Sequence, residues 1–253
     1  MAITLDSMVR NATMGQKAGV PASTKADLAT GAFDLASKRI GQQVDATNVQ
    51  LLAFGQVKSS FVDVQSAGMS LTTPGKTSTV EDVTKAVQSF ADVYNKATSI
   101  VNAAIKSDGK LPGALVDDGR ANLAGFDLKR LVTGGSNTAD LKKIGVSVNQ
   151  DGSITVNAKA LQNAVQTNPA MVQDTLAKVG AQAVQVSQRE LASTGNIGSS
   201  INTLNVRAKN LESKAAGQLK LSTDSQNAVR QQNATLSNNA TDGIAAYIQM
   251  FSL

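Results

Sequence analysis

The sequence predicts a mainly α protein with a small α+β head, whose long N- and C-terminal helices form an antiparallel coiled-coil-like stalk. Three observations point there. Apolar residues recur at heptad spacing near both ends of the 253-residue chain, one pair of alternating β segments flanks an Asp-Gly turn, and aromatics are only 3% of the residues. One thick core of this length would hold more large side chains, so thin helical layers fit better.

Residues 1–25 are rich in Ala, Thr, Gly and Ser and show neither period, so they read as a flexible leading segment. A helix is expected over 26–71. Its seam runs Ile40, Val44, Thr47, Leu51, Phe54, Val57, Phe61, Val64, Gly68 and Leu71, in steps of three and four with one short step after Phe54. Gly41, Gly55 and Gly68 each weaken that helix by about 1 kcal/mol relative to Ala, so it needs a partner surface.

Residues 72–79, T-T-P-G-K-T-S-T, break the pattern as a linker. The head is expected over 80–190. Thr79 and Asp82 have capping-box spacing before a helix with Val83, Val87, Phe90, Tyr94, Ala97, Val101 and Ile105 on one face. The stretch 110–143 is punctuated by glycine, and one short helix in it holds Leu123, Phe126, Leu128 and Leu131. Residues 144–156, I-G-V-S-V-N-Q-D-G-S-I-T-V, alternate as a hairpin around Asp151-Gly152. Asn157 then caps one helix, and Asn168-Pro169 starts another.

The last segment, 191–253, returns to a heptad seam. It passes through Ile197, Ile201, Leu204, Ala208, Leu211, Ala215 and Leu219, then Ser222, Gln226, Val229, Asn233, Leu236, Ala240, Ile244, Ile248 and Phe251. Polar Ser222, Gln226 and Asn233 either select register and oligomer state or mark loose packing; the spacing leaves both open. The two seams together predict a stalk. Ile40, Val44, Leu51, Phe54 and Phe61 would pack against Ile201, Leu204, Leu211 and Leu219, and the seam continues through Leu236 and Ile244.

Composition narrows the chemistry. The chain has no Cys and no His, which removes disulfides, zinc sites of the usual kind and His general bases. No catalytic residue, cofactor or metal ligand is expected. The net charge of +5 is spread over isolated pairs such as Lys38-Arg39, Lys129-Arg130 and Lys142-Lys143, so no nucleic-acid footprint appears. No stretch approaches a membrane span, and the first twenty residues lack the apolar core of a secretory signal.

Tempting motifs fall away on inspection. Pro74-Gly75-Lys76-Thr77 resembles the end of a phosphate-binding loop, but Ser70 stands where the motif needs Gly, and helical patterns flank it. Asp6 and Asp117-Asp118 lack the spacing of an oxygen-ligand cage.

The order of L-A-F-G-Q-V-K-S-S-F at Leu52–Phe61, F-A-D-V-Y-N at Phe90–Asn95, the hairpin and helix of Ile144–Leu161, and N-P-A-M-V within Asn168–Leu176 resembles the bacterial flagellar filament-capping family, hook-associated protein 2. The resemblance covers most of 40–253. Thr4-Leu-Asp-Ser7 is only a fragment of the family's opening segment. Thr72–Thr79 fills the place where relatives insert one or two outer domains, so the resemblance implies a minimal form.

What the resemblance implies is a homo-oligomer at the tip of the flagellum, engaging flagellin and the filament end. It also implies type III export without a cleaved signal, an extracellular location and an export chaperone as a further partner. The nearest rival is another flagellar axial component, such as a hook–filament junction protein; the hairpin followed by Asn-Pro favours the cap. A non-flagellar surface binding module would need an aromatic-lined pocket, which the aromatic poverty opposes.

Overall fold

The computed structural model describes residues 22–72, 79–107 and 112–251. Among them are seven helices and one two-stranded sheet: α1 (Ala22–Thr72), α2 (Val80–Ile105), α3 (Gly119–Thr133), α4 (Asn137–Lys143), β1 (Val146–Val148), β2 (Ile154–Val156), α5 (Ala158–Thr167), α6 (Pro169–Leu191) and α7 (Asn196–Phe251). The protein is mainly helical with a small α+β head, as its periodicities predict. Most of the expected leading segment, and the linker between Thr72 and Thr79, lie outside the described residues.

The chain divides into two compact units, one of them Ala46–Ala208, the other the chain up to Asp45 together with that from Lys209 on. The larger unit is the head, and it includes the inner portions of both long helices. One continuous core runs through it, from Phe54, Phe61 and Val64 of α1 through Phe90 and Tyr94 of α2 to Ile197 and Leu204 of α7.

Local chemistry sets the helix ends. Thr79 and Asp82 close the capping box, each accepting from the other's backbone N–H at 3.1 Å. Asp118 caps α3 by accepting from Arg120 and Ala121 N–H, both at 2.9 Å. Asn157 and Asn168 cap α5 and α6, and Pro169 opens α6 where its missing N–H costs nothing. The 110–143 stretch departs from expectation in two ways. It holds a second helix, α4, and α3 turns Leu123 and Phe126 outward while burying Ala121, Ala124, Leu128, Leu131 and Val132. Small residues line that inner face because α3 lies close on α2. A Cβ at Gly125 would come within 3.0 Å of Val101 Cγ1.

The strands pair antiparallel in the register Val146↔Val156, Ser147↔Thr155 and Val148↔Ile154. Gly152 takes φ +88° in the connecting turn, where an L side chain would be strained. The sheet is fixed to α2 by two side chains. Tyr94 donates its hydroxyl to the Gly152 carbonyl at 3.0 Å, and burial pushes its pKa up to about 12. Asn95 makes two bonds to Ile154.

Candidate functional site

Two features outside the head core are candidates for function: the paired helix ends of the smaller unit and a polar groove on the head.

In the smaller unit the two helices lie side by side. Ser37, Ile40, Gly41, Val44, Asp45 and Ala215 surround a groove of about 270 Å³. The half-buried positions are Phe33, Ala36, Ile40 and Val44 on α1, and Gln218, Ser222, Ser225 and Val229 on α7. Counting on from buried Leu211, the α7 steps are seven, four, three and four, an unbroken heptad. Its inner face is mixed in polarity. Gln218, Ser222 and Ser225 turn inward beside Val229, opposite Phe33, Ile40 and Val44, whereas Leu35 and Leu219 are 61% and 70% exposed. Leu236, in the column of Ser222 and Val229, is 56% exposed.

The eleven residues expected to pack the stalk therefore separate into groups. Phe54, Phe61 and Leu204 are buried in the head core, with Leu51 and Ile201 at its margin. Ile40 and Val44 are half-buried and Leu211 is buried in the smaller unit. Leu219 and Leu236 point to solvent, and the Ile244 side chain lies outside the described residues. The sequence reading continued the seam from Ala215 to Leu219, the larger apolar neighbour. The heptad passes one residue earlier, through Gln218, and then through Ser225 where Gln226 was expected.

The head groove, about 320 Å³, lies between α3 and α6 and was not foreseen. Arg130, Lys178 and Arg189 line it with one carboxylate, Asp127, and the amides of Asn137, Gln182 and Gln185. Arg189 pairs with Asp127 at 2.8 Å, Lys178 donates to Ser136 at 2.7 Å, and the Arg130 guanidinium sits 5.7 Å from the centre of the Phe126 ring. Asp140 lies beside Ser136, Lys143 and Lys178, and these hydrogen bonds, Ser136's first, hold its pKa down to about 2.

Next to the groove, Glu190 is buried at the end of α6. It accepts from Asn196, the first residue of α7, at 2.8 Å and from Arg189 at 3.3 Å. Burial raises its pKa, and the neighbouring Asp127 carboxylate raises it further. Neither groove nor buried acid has a periodic signature, since both assemble residues from separate helices. Among the described residues no group of three or more acidic side chains is placed to hold a metal ion. No helix among them is long and apolar enough to cross a membrane.

The family model for the C-terminus of flagellar hook-associated protein 2 matches residues 65–252. The chain belongs to the hook-associated protein 2 family. The match takes in the last turns of α1, the rest of the head and nearly all of α7, so the head groove and the α7 half of the helix pair fall within it, while the α1 half, up to Asp45, lies outside. Membership in the hook-associated protein 2 family makes this a structural, flagellum-associated protein of the cap type. No curated protein matches the chain.

Proposed function

We propose that the chain caps the distal end of the flagellar filament as a homo-oligomer and promotes insertion of exported flagellin, a structural role without catalysis. The supporting observation is the polar dilution of the paired ends and the leucines they leave exposed. A helix pair with Gln218, Ser222 and Ser225 among its inner positions, and with Leu35, Leu219 and Leu236 exposed, is weakly held by itself. Its outward leucines gain cover from other copies or from the filament end. In this reading Ile40, Val44 and Leu211 hold the pair together within one chain, while Leu219, Leu236 and Ile244 pack between chains. Type III export without a cleaved signal, with an export chaperone, and an extracellular position at the tip belong to the same proposal.

Deleting the gene should release unpolymerised flagellin into the medium. Complementation with a Leu219→Ser, Leu236→Ser double variant should restore little, although the free variant keeps the melting behaviour of the parent chain. Normal filaments in the deletion strain would reject the capping role. Amide exchange gives a second reading: protection over 31–45 and 209–239 should be low in free protein and rise on assembly. Equal protection in both states would count against ends completed by partners.

A further inference from the structure

We infer that neighbouring copies meet head to tail, the α3–α6 groove of one head receiving the outer face of α1 from the next. This rests on the self-assembly proposed above and adds the surfaces that carry it.

The two faces are complementary in character. The groove is lined by Arg130, Lys178 and Arg189 with the carboxylate of Asp127, and has Phe126, 57% exposed, at its rim. Arg189 is held by Asp127 and Glu190 and Lys178 by Asp140, which leaves Arg130, over the Phe126 ring, as the cation most open to a partner. Exposed aromatic and arginine side chains beside a cleft are the composition that anchors protein interfaces. The outer face of α1 offers Leu52, 67% exposed, Val62, and the carboxylate of Asp63. Gly55 and Ser59 lie between them and Ser66 just beyond, small residues that let a partner approach closely. The Ser66 hydroxyl is already returned to the Val62 carbonyl at 3.0 Å, so burying it leaves no donor unpaired. Lys58 stands on the flank of this face rather than at its centre.

Their placement decides the kind of contact. On α6, Gly180 and Ala183 touch α1, whereas Gln182, Gln185 and Arg189 line the groove. At about 100° per residue, Gln185 stands roughly 140° around the helix from Gly180, so the groove lies on the side of α6 turned away from α1. On α1 itself Phe61 and Gly68 face inward, and Asp63 and Ser66 face outward. The head thus carries two different, matching surfaces on opposite sides. Such a pair propagates from copy to copy, into a ring where the rotation between copies closes, whereas one self-matching patch stops at a dimer. Self-pairing of the α1 face would also bring Asp63 against Asp63.

The absence of native cysteine makes the test direct. In the full chain, a Ser66→Cys, Gln185→Cys double variant should give a covalent ladder beyond the dimer on oxidation. Each single variant alone should give no cross-link, and an equal mixture of the two should stop at dimer. A dimer from Ser66→Cys alone would overturn the head-to-tail contact. By sedimentation, Lys178→Glu and Asp63→Lys should each weaken assembly about tenfold or more, and the two together should recover part of the loss. Arg130→Glu checks the result independently of the Lys178–Ser136 bond. A chain that stays monomeric at every concentration would overturn self-assembly and this interface together. One that assembles without a ladder, indifferent to these charges, would overturn this interface alone.

Discussion

Gly68 of α1 and Gly180 of α6 meet backbone to backbone inside the head. A Cβ placed on Gly180 would stand 2.5 Å from the Gly68 carbonyl oxygen, and one on Gly68 would stand 2.9 Å from the Gly180 carbonyl oxygen and 2.7 Å from Ala183 Cβ. Neither backbone oxygen can swing aside as a side chain can. Gly180→Ala should therefore lose about 1–3 kcal/mol to overpacking, against about 1 kcal/mol gained in helix propensity. Gly55 sits on the same α1 helix with nothing within 4 Å of its added Cβ. Gly55→Ala should raise stability by up to about 1 kcal/mol, a melting shift of roughly 2–4 °C. Thermal melts of the two variants should move in opposite directions.

Asn95 acts toward the sheet as a short piece of strand. Its Nδ2 donates to the Ile154 carbonyl and its Oδ1 accepts from the Ile154 N–H, both at 2.8 Å. This occupies the edge of β2 that β1 leaves open. Asn95→Ala would leave both backbone groups of Ile154 without partners, a loss of roughly 2 kcal/mol or more. Urea unfolding should show that loss, and exchange at the Ile154 amide should speed up more than at Val156. Asn95→Asp keeps the acceptor and loses the donor, so it should fall between the two.

The elements with strong period or chemical punctuation were legible in advance. The capping box at Thr79, the Asn157 and Asn168-Pro169 starts and the hairpin around Gly152 each depend on residues within a few positions of one another. So does the α1 seam, where each expected position from Ile40 to Leu71 is at least half-buried. The seven-residue α4 is too short for a helical period to register. On α7 beyond Ala215, Ser222 and Val229 lie on the expected seam, but hydrophobicity points to Leu219 where the helix turns Gln218 inside. Gly68 looked like a weak point for the same reason: the close approach that requires it comes from α6, more than a hundred residues away. The groove and Glu190 draw on several helices at once, and local spacing carries no trace of such meetings.

Glu190 gives the head a pH dependence of definite sign. Its folded pKa is raised above the usual carboxylate value, first by burial and then by Asp127, so the folded state favours the protonated acid. Its contribution is fully present below the ordinary glutamate pKa and is lost as pH rises through the folded value. Glu190→Gln keeps an acceptor for Asn196 without a charge to bury. It should be more stable than the parent near pH 7, with the difference shrinking as pH falls through the raised folded pKa and levelling off below about 4.5. Urea midpoints measured across that range check it. A variant less stable than the parent at pH 7 would mean the ion pair with Arg189 outweighs the burial of charge.

The polar heptad positions of α7 can be tested by one substitution and its neighbour. Ser225 lies in the same column as Leu211 and Gln218, half-buried against α1, while Gln226 one residue on is exposed. Leucine and glutamine have similar helix propensities, so Gln226→Leu adds an apolar side chain on the exposed side with little propensity change. Ser225→Ala gives the propensity part of Ser225→Leu without the larger side chain. Ser225→Leu should bury apolar surface in the pair and stabilise it by about 1 kcal/mol or more. Amides over 209–239 should then exchange several-fold more slowly in free protein, while head amides stay unchanged. Gln226→Leu should leave exchange as it was. Because ordering the ends is part of what assembly must supply, Ser225→Leu should also tighten assembly by removing some of that entropic cost. A larger slowing from Gln226→Leu would place the seam one residue later, and the outward leucines would lose their claim to a partner.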